Sequence, residues 1–136
     1  MKPRVLFLCT GNSCRSQMAE GLFKQLHGED YEVYSAGTSP TAVNSWAVRA
    51  MREIDVDISG QTSKSIDDLP VKSFDVVITV CDNARRSCPV FPGAKKKLHW
   101  SIPDPAGASG TQRQIEDTFR RVREMLQEKI KSEFNS

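Results

Sequence analysis

Cys9-Thr-Gly-Asn-Ser-Cys-Arg15-Ser16 places a nucleophile, turn formers and a guanidinium in one short stretch near the start of a 136-residue chain. A cysteine beside a helix N-terminus and a cation is favoured as its thiolate, which is the attacking species. Loop N–H groups entering a helix, together with the positive end of its dipole, make a site for a tetrahedral oxyanion. Gly11 and Asn12 suit the unusual backbone angles of such a cradle, and Arg15 can add a bidentate fork to two oxygens. The oxyanion-binding set is therefore Thr10, Gly11, Asn12, Ser13, Cys14, Arg15 and Ser16, with Cys9 as nucleophile. The plainer reading is a buried structural cysteine before an ordinary strand-to-helix turn. The coincidence of cysteine, glycine, arginine and helix start weighs against it. The nucleotide-binding string Gly-x-x-x-x-Gly-Lys-Ser/Thr does not occur.

The elements that must position this loop read as alternating strands and helices. An apolar run over 4–9 has the character of a strand buried on both faces and stops at turn formers. Met18, Ala19, Leu22, Phe23 and Leu26 follow at helical spacing until Gly28. A second strand spans 31–36, and Val43, Trp46, Ala47, Ala50, Met51 and Ile54 suggest a second helix. The most strand-like segment is 74–81, which puts Cys81 at a strand's C-terminal end. A fourth strand is expected over 96–100. Ile102-Pro-Asp104-Pro-Ala106 forms a constrained loop, and from about Thr111 a last helix carries Ile115, Phe119, Val122, Leu126 and Ile130 on one face.

This pattern implies an α/β fold: one domain over 1–136, an open parallel sheet of about four strands flanked by helices. Ligands bind such sheets beyond the carboxyl ends of the strands, where both Cys9 and Cys81 fall. Lys and Arg total 19 against 17 Asp and Glu, so no basic field announces nucleic acid or a membrane surface. No apolar run has the roughly 20 residues of a bilayer span or the form of a secretion signal, and the expectation is a cytoplasmic monomer. Four cysteines in that setting are poor candidates for a permanent disulfide framework. His27 and His99 lack metal-ligand spacing with them, so no metal site is expected. Lys95-Lys96-Lys97 reads as solvated surface, while Arg85 and Arg86 either are the same or favour the thiolates of the cysteines at 81 and 88 that flank them.

The cysteine-x5-arginine spacing followed by serine resembles the low-molecular-weight tyrosine phosphatases, and the chain as a whole resembles the thioredoxin-coupled arsenate reductases that share their fold. The resemblance rests on Cys-Thr-Gly-Asn-Ser-Cys-Arg-Ser-Gln-Met-Ala-Glu at 9–20, Ser-Ala-Gly-Thr at 35–38 and Asp-Ile-Ser-Gly-Gln-Thr-Ser at 57–63. It also rests on Cys81-Asp-Asn-Ala-Arg-Arg-Ser-Cys88, and on His99-Trp100 leading to Asp104-Pro105-Ala106. It implies that Cys9 attacks arsenate, Arg15 and the loop amides hold its oxygens, and Asp104, otherwise a turn former, protonates the leaving oxygen. Cys81 and Cys88 then carry a redox disulfide outward to thioredoxin, with electrons ultimately from NADPH and no bound cofactor. Phosphate and sulfate are expected as oxyanion mimics. Cys14 is a bystander in this scheme. Some related reductases hold potassium through asparagine, glutamate, serine and an acid; Asn12, Glu20 and Ser35 match, but Lys64 stands in the acid's place.

Residues seven apart on an intact helix lie about 10 Å apart, whereas disulfide Cα atoms lie within roughly 7 Å. If 81–88 is helical when reduced, oxidation must unwind it, and Pro89 disfavours helix at Cys88. Two rivals remain open from sequence: a phosphatase of the same fold, which needs neither Cys81 nor Cys88, and a non-enzymatic thiol switch, which leaves the oxyanion loop without a role.

Overall fold

The computed structural model describes residues 2–81 and 94–134. Its elements run β1 (Arg4–Cys9), α1 (Arg15–His27), β2 (Glu32–Gly37), α2 (Ser45–Arg52), β3 (Val76–Thr79), β4 (Lys96–His99) and α3 (Gln112–Glu133). Single turns of tighter helix at Ile66–Asp68 and Pro105–Gly107 interrupt the connections. Among the described residues the sheet has four parallel strands in the order β2-β1-β3-β4. The expected α/β architecture is thus observed, with each predicted element present and shifted by one or two residues at its ends.

The chain leaves β1 to one side towards β2 and to the other towards β3, which makes the β1/β3 boundary the point where strand order reverses. Loops there diverge and open a crevice at the carboxyl ends. Register places Leu8 opposite Thr79, so Cys9 and the segment after β3 flank that crevice. Strand β1 is central and apolar after Arg4, and Val5, Leu6, Phe7 and Leu8 are fully buried. The edge strand β4 is short and carries exposed Lys96 and Lys97, charges that discourage further strand pairing.

Helix α1 is buried from Ser16 to Phe23, and it packs on β1, β2 and α3. Helix α3 starts in a reciprocal cap: Thr111 Oγ1 accepts from Gln114 N at 3.2 Å, and Gln114 Oε1 accepts from Thr111 N at 2.8 Å. Its buried stripe of Phe119, Val122, Leu126 and Ile130 matches the helical spacing and lies against α1 and α2. Glu53, at the end of α2, accepts from Arg120 and Arg123 of α3 and pins the two helices at that corner. His27 belongs to an aromatic cluster with Phe23, Tyr31 and Phe134. No helix among the described residues is long and apolar enough to cross a membrane.

Candidate active site

The loop between β1 and α1 is tied from outside by its carbonyls. Cys9, Thr10, Gly11 and Ser13 accept from the backbone N–H groups of Thr38, Ser39, Thr41 and Asn44 at 2.8–3.2 Å. The Asn12 carbonyl accepts from Ser63 Oγ at 2.6 Å and Gln17 Nε2 at 3.0 Å. In a trans peptide the N–H points opposite the C=O, so carbonyls turned outward aim the loop's N–H groups inward. One of these, Asn12 N–H, donates to Cys9 Sγ at 3.2 Å. Among the described residues no side chain caps the start of α1, and its first turn holds no acid, which leaves the helix end available to an anion.

Asn12 has φ 48°, the left-handed turn expected of the cradle. Gly11 departs from expectation, because it does not occupy that region. Its role is space: a Cβ there would stand 3.2 Å from Thr41 Oγ1 and 3.3 Å from Ser13 Oγ. A tighter approach to the loop is at Gly37, where a Cβ would fall 2.5 Å from the Thr10 carbonyl oxygen and 2.9 Å from Asn12 N.

A cavity of about 630 Å³ opens over this loop, lined by Cys9, Thr10, Gly11, Ser13, Cys14, Arg15, Cys81 and Asp104 among others. Cys9 and Cys81 are both buried, and Thr10 Oγ1 touches Cys81 Sγ at 3.4 Å. The Arg15 guanidinium donates to the Ile102 carbonyl at 3.0 Å and stands 3.6 Å from Asp104 Oδ2. Asp104 Oδ1 accepts from Ala106 N at 2.9 Å and caps the turn, while Oδ2 is the oxygen turned towards Arg15. Burial pushes the Cys14 thiol up to about 11, with Ser13 as a weak opposing donor, so Cys14 stays protonated near neutrality.

The side chains of Asn12 and Ser16, both members of the oxyanion-binding set, lie fully buried beneath the loop. Ser16 Oγ is 2.8 Å from Cys9 Sγ. The Asn12 amide gives its two protons to Ser16 Oγ at 2.8 Å and Ser35 Oγ at 3.1 Å, and the Ser35 hydroxyl donates to Glu20 Oε1. Asn12 Oδ1 accepts from Gln17 Nε2 at 2.9 Å and Lys64 N at 3.0 Å. The left-handed turn is therefore locked by a side chain using its full hydrogen-bonding capacity.

Residues 4–135 match the family described as low molecular weight phosphotyrosine protein phosphatase. A protein named arsenate reductase from Halalkalibacterium halodurans is 48% identical over 131 residues, 96% of this chain and 94% of that one. The Bacillus subtilis protein of that name is 46% identical over 127 residues, covering 93% and 91%. The chain belongs to the arsenate reductases of this phosphatase family.

A solved arsenate reductase in the phosphate binding state aligns with TM-score 0.78 at 36% identity, over 97% of this chain and 95% of that one. An Erwinia amylovora tyrosine phosphatase aligns with TM-score 0.76 at 22% identity, over 99% and 93%, and shows the shared fold. Within the family pattern, sequence reasoning passed over Gln17, Gln61, Ser63 and Gly37 as supports of the loop. Gln61 Nε2 donates to Gln17 Oε1 at 2.6 Å and thereby turns the Gln17 amide towards Asn12. The family strings at 35–38 and 57–63 contain Gly37, Gln61 and Ser63, and were the available signal. Cys88, Arg85, Arg86 and the rest of the segment 82–88, whose helical state was posed as a condition, lie outside the described residues.

Proposed function

We propose that the protein reduces arsenate to arsenite with Cys9 as nucleophile and Cys81 as the second thiol. The observation that carries this reading is the presence of both sulfurs on one cavity with Arg15 and Asp104. A phosphomonoesterase needs the first thiol, the arginine and the acid; a buried second thiol on the same cavity supplies what a two-electron reduction needs in addition.

In the first step Cys9 Sγ bonds to arsenic while one As–O bond breaks. Arg15 and the inward loop amides hold the remaining oxygens, and charge developing on them meets donors already in place. Asp104 is 56% exposed at its side chain, so it can take a proton from solvent and deliver it to the departing oxygen, which leaves as water. Cys81 Sγ then attacks Cys9 Sγ. The electron pair of the S–As bond stays on arsenic, which passes from the pentavalent to the trivalent state and leaves as arsenite. The Cys81 proton goes to solvent and a Cys9–Cys81 disulfide remains.

Cys88 attacks Cys81 in turn, which frees Cys9 and moves the disulfide to Cys81–Cys88. Thioredoxin, drawing on NADPH, returns two electrons by thiol-disulfide exchange. The chain acts as a monomer in the cytoplasm, with no bound cofactor. Steady-state arsenite production with thioredoxin, its reductase and NADPH tests the reading. Wild type turns over repeatedly, and Cys9→Ser, Cys81→Ser and Cys88→Ser each fail to recycle. Phosphatase turnover without arsenite formation, untouched by loss of Cys81, would overturn it.

A further inference from the structure

Asn12, Glu20 and Ser35 stand at the positions through which some related reductases hold potassium, yet in this chain they are hydrogen-bonded to one another and do not fit the ion. The Lys64 ammonium donates to the Ser35 carbonyl at 3.2 Å and to the Thr62 carbonyl at 2.8 Å, so carbonyls beside these residues already serve a cation. Asn12 turns its Nδ2, not its Oδ1, towards Ser35. Glu20, 6% exposed, is already neutralised by Lys24 Nζ at 2.6 Å. With Glu20 negative and Lys24 and Lys64 positive, a further cation would enter a locally positive site. An acid at 64 would reverse that sign.

We propose that the ammonium of Lys64 is a built-in replacement for a monovalent cation, holding the oxyanion loop in register without potassium. The connection to the reacting sulfur is continuous. Lys64 secures the Ser35 and Thr62 carbonyls, and its own N–H fixes Asn12 Oδ1. Asn12 then orients Ser16, and Ser16 meets Cys9 Sγ. Glu20 anchors the other end through Ser35 Oγ. Burial pulls the Lys64 ammonium below the ordinary lysine value, while Glu20 works against that loss and favours the charged form. Lys64 is thus a positioning residue, acting through Asn12 and Ser16. A tethered ammonium has no dilution penalty and does not dissociate, which a free ion does.

The inference deepens the proposed reading and rests on Cys9 being the loop nucleophile; its readouts, stability and thiol reactivity, do not require arsenate to be the substrate. The test compares potassium chloride with choline chloride at equal ionic strength for wild type, Lys64→Arg, Lys64→Gln and Lys64→Asp. It records the thermal midpoint and the pH profile of Cys9 alkylation, located by peptide mass spectrometry. Wild type should be indifferent to the cation. Lys64→Gln should move the Cys9 profile to higher pH, slowing alkylation near neutrality about threefold or more, and Lys64→Arg should restore part of it. Lys64→Asp should become stabilised by potassium over choline. A potassium-specific rise in wild type, a Lys64→Gln profile equal to wild type, or a folded Lys64→Asp that ignores potassium would each overturn the proposal.

Discussion

Ser16 Oγ lies 2.8 Å from Cys9 Sγ, and the Asn12 Nδ2 donor occupies the acceptor side of that hydroxyl, so the hydroxyl proton is left for the sulfur. A hydrogen bond to an ionised group contributes about 1.5–3 kcal/mol. Ser16→Ala should therefore lower kcat/KM for arsenate roughly ten- to a hundredfold. Alkylation of Cys9 near neutrality should slow in parallel. Unchanged alkylation would remove Ser16 from the account.

Gly37 should be intolerant of even one methyl group. The two nearest atoms a Cβ would meet, the Thr10 carbonyl oxygen and Asn12 N, are backbone and cannot swing aside. Gly37→Ala should cost about 2 kcal/mol of stability in denaturant unfolding. It should also weaken phosphate binding in a calorimetric titration, because the displaced residues are those of the oxyanion loop.

Cys14, held as a thiol to about pH 11 by burial, should resist modification. Iodoacetamide near neutrality should label Cys9 well before Cys14, read by peptide mass spectrometry. The same burial has a stability consequence. A thiol with a raised folded-state value stabilises the protein fully below its ordinary value of 9.0, and that contribution is lost as pH rises from there towards about 11. Cys14→Ala should flatten the alkaline loss of stability in that window.

Glu53 supplies the acid limb. Its hydrogen bonds from Arg120, then those from Arg123, hold the carboxyl down at about 2, against an ordinary value of 4.5. The contribution is present above 4.5 and disappears as pH falls towards 2. The carboxylate is 36% exposed, and solvent screening keeps the effect to about 1 kcal/mol or less. Glu53→Gln should lose that stability near neutrality and converge on wild type across the acid window, measured by urea unfolding.

The fold was legible because period carries it. The unbroken apolar run of β1 and the helical spacing of Phe119, Val122, Leu126 and Ile130 each name a buried face without reference to the rest of the chain. Cys9 and Arg15 were legible for another reason, since their types announce chemistry and their spacing matches a known loop, whereas Asp104 alone read as a turn former and entered only through the resemblance. What stayed hidden is the layer underneath. Nothing local to Gln61 shows that its amide orients Gln17, because that contact joins residues 44 positions apart. Gly11 misled for a related reason: glycine suits both a left-handed turn and a tight approach, and only the neighbour Thr41 reveals which applies.

The most direct measurement is a single turnover without thioredoxin, in which reduced protein meets arsenate and both arsenite and the disulfide formed are quantified by mass spectrometry. The account predicts one arsenite per chain with a Cys81–Cys88 bond in wild type, a trapped Cys9–Cys81 bond in Cys88→Ser, and no arsenite from Cys81→Ser. Arsenite released by Cys81→Ser at the wild-type amount would contradict it.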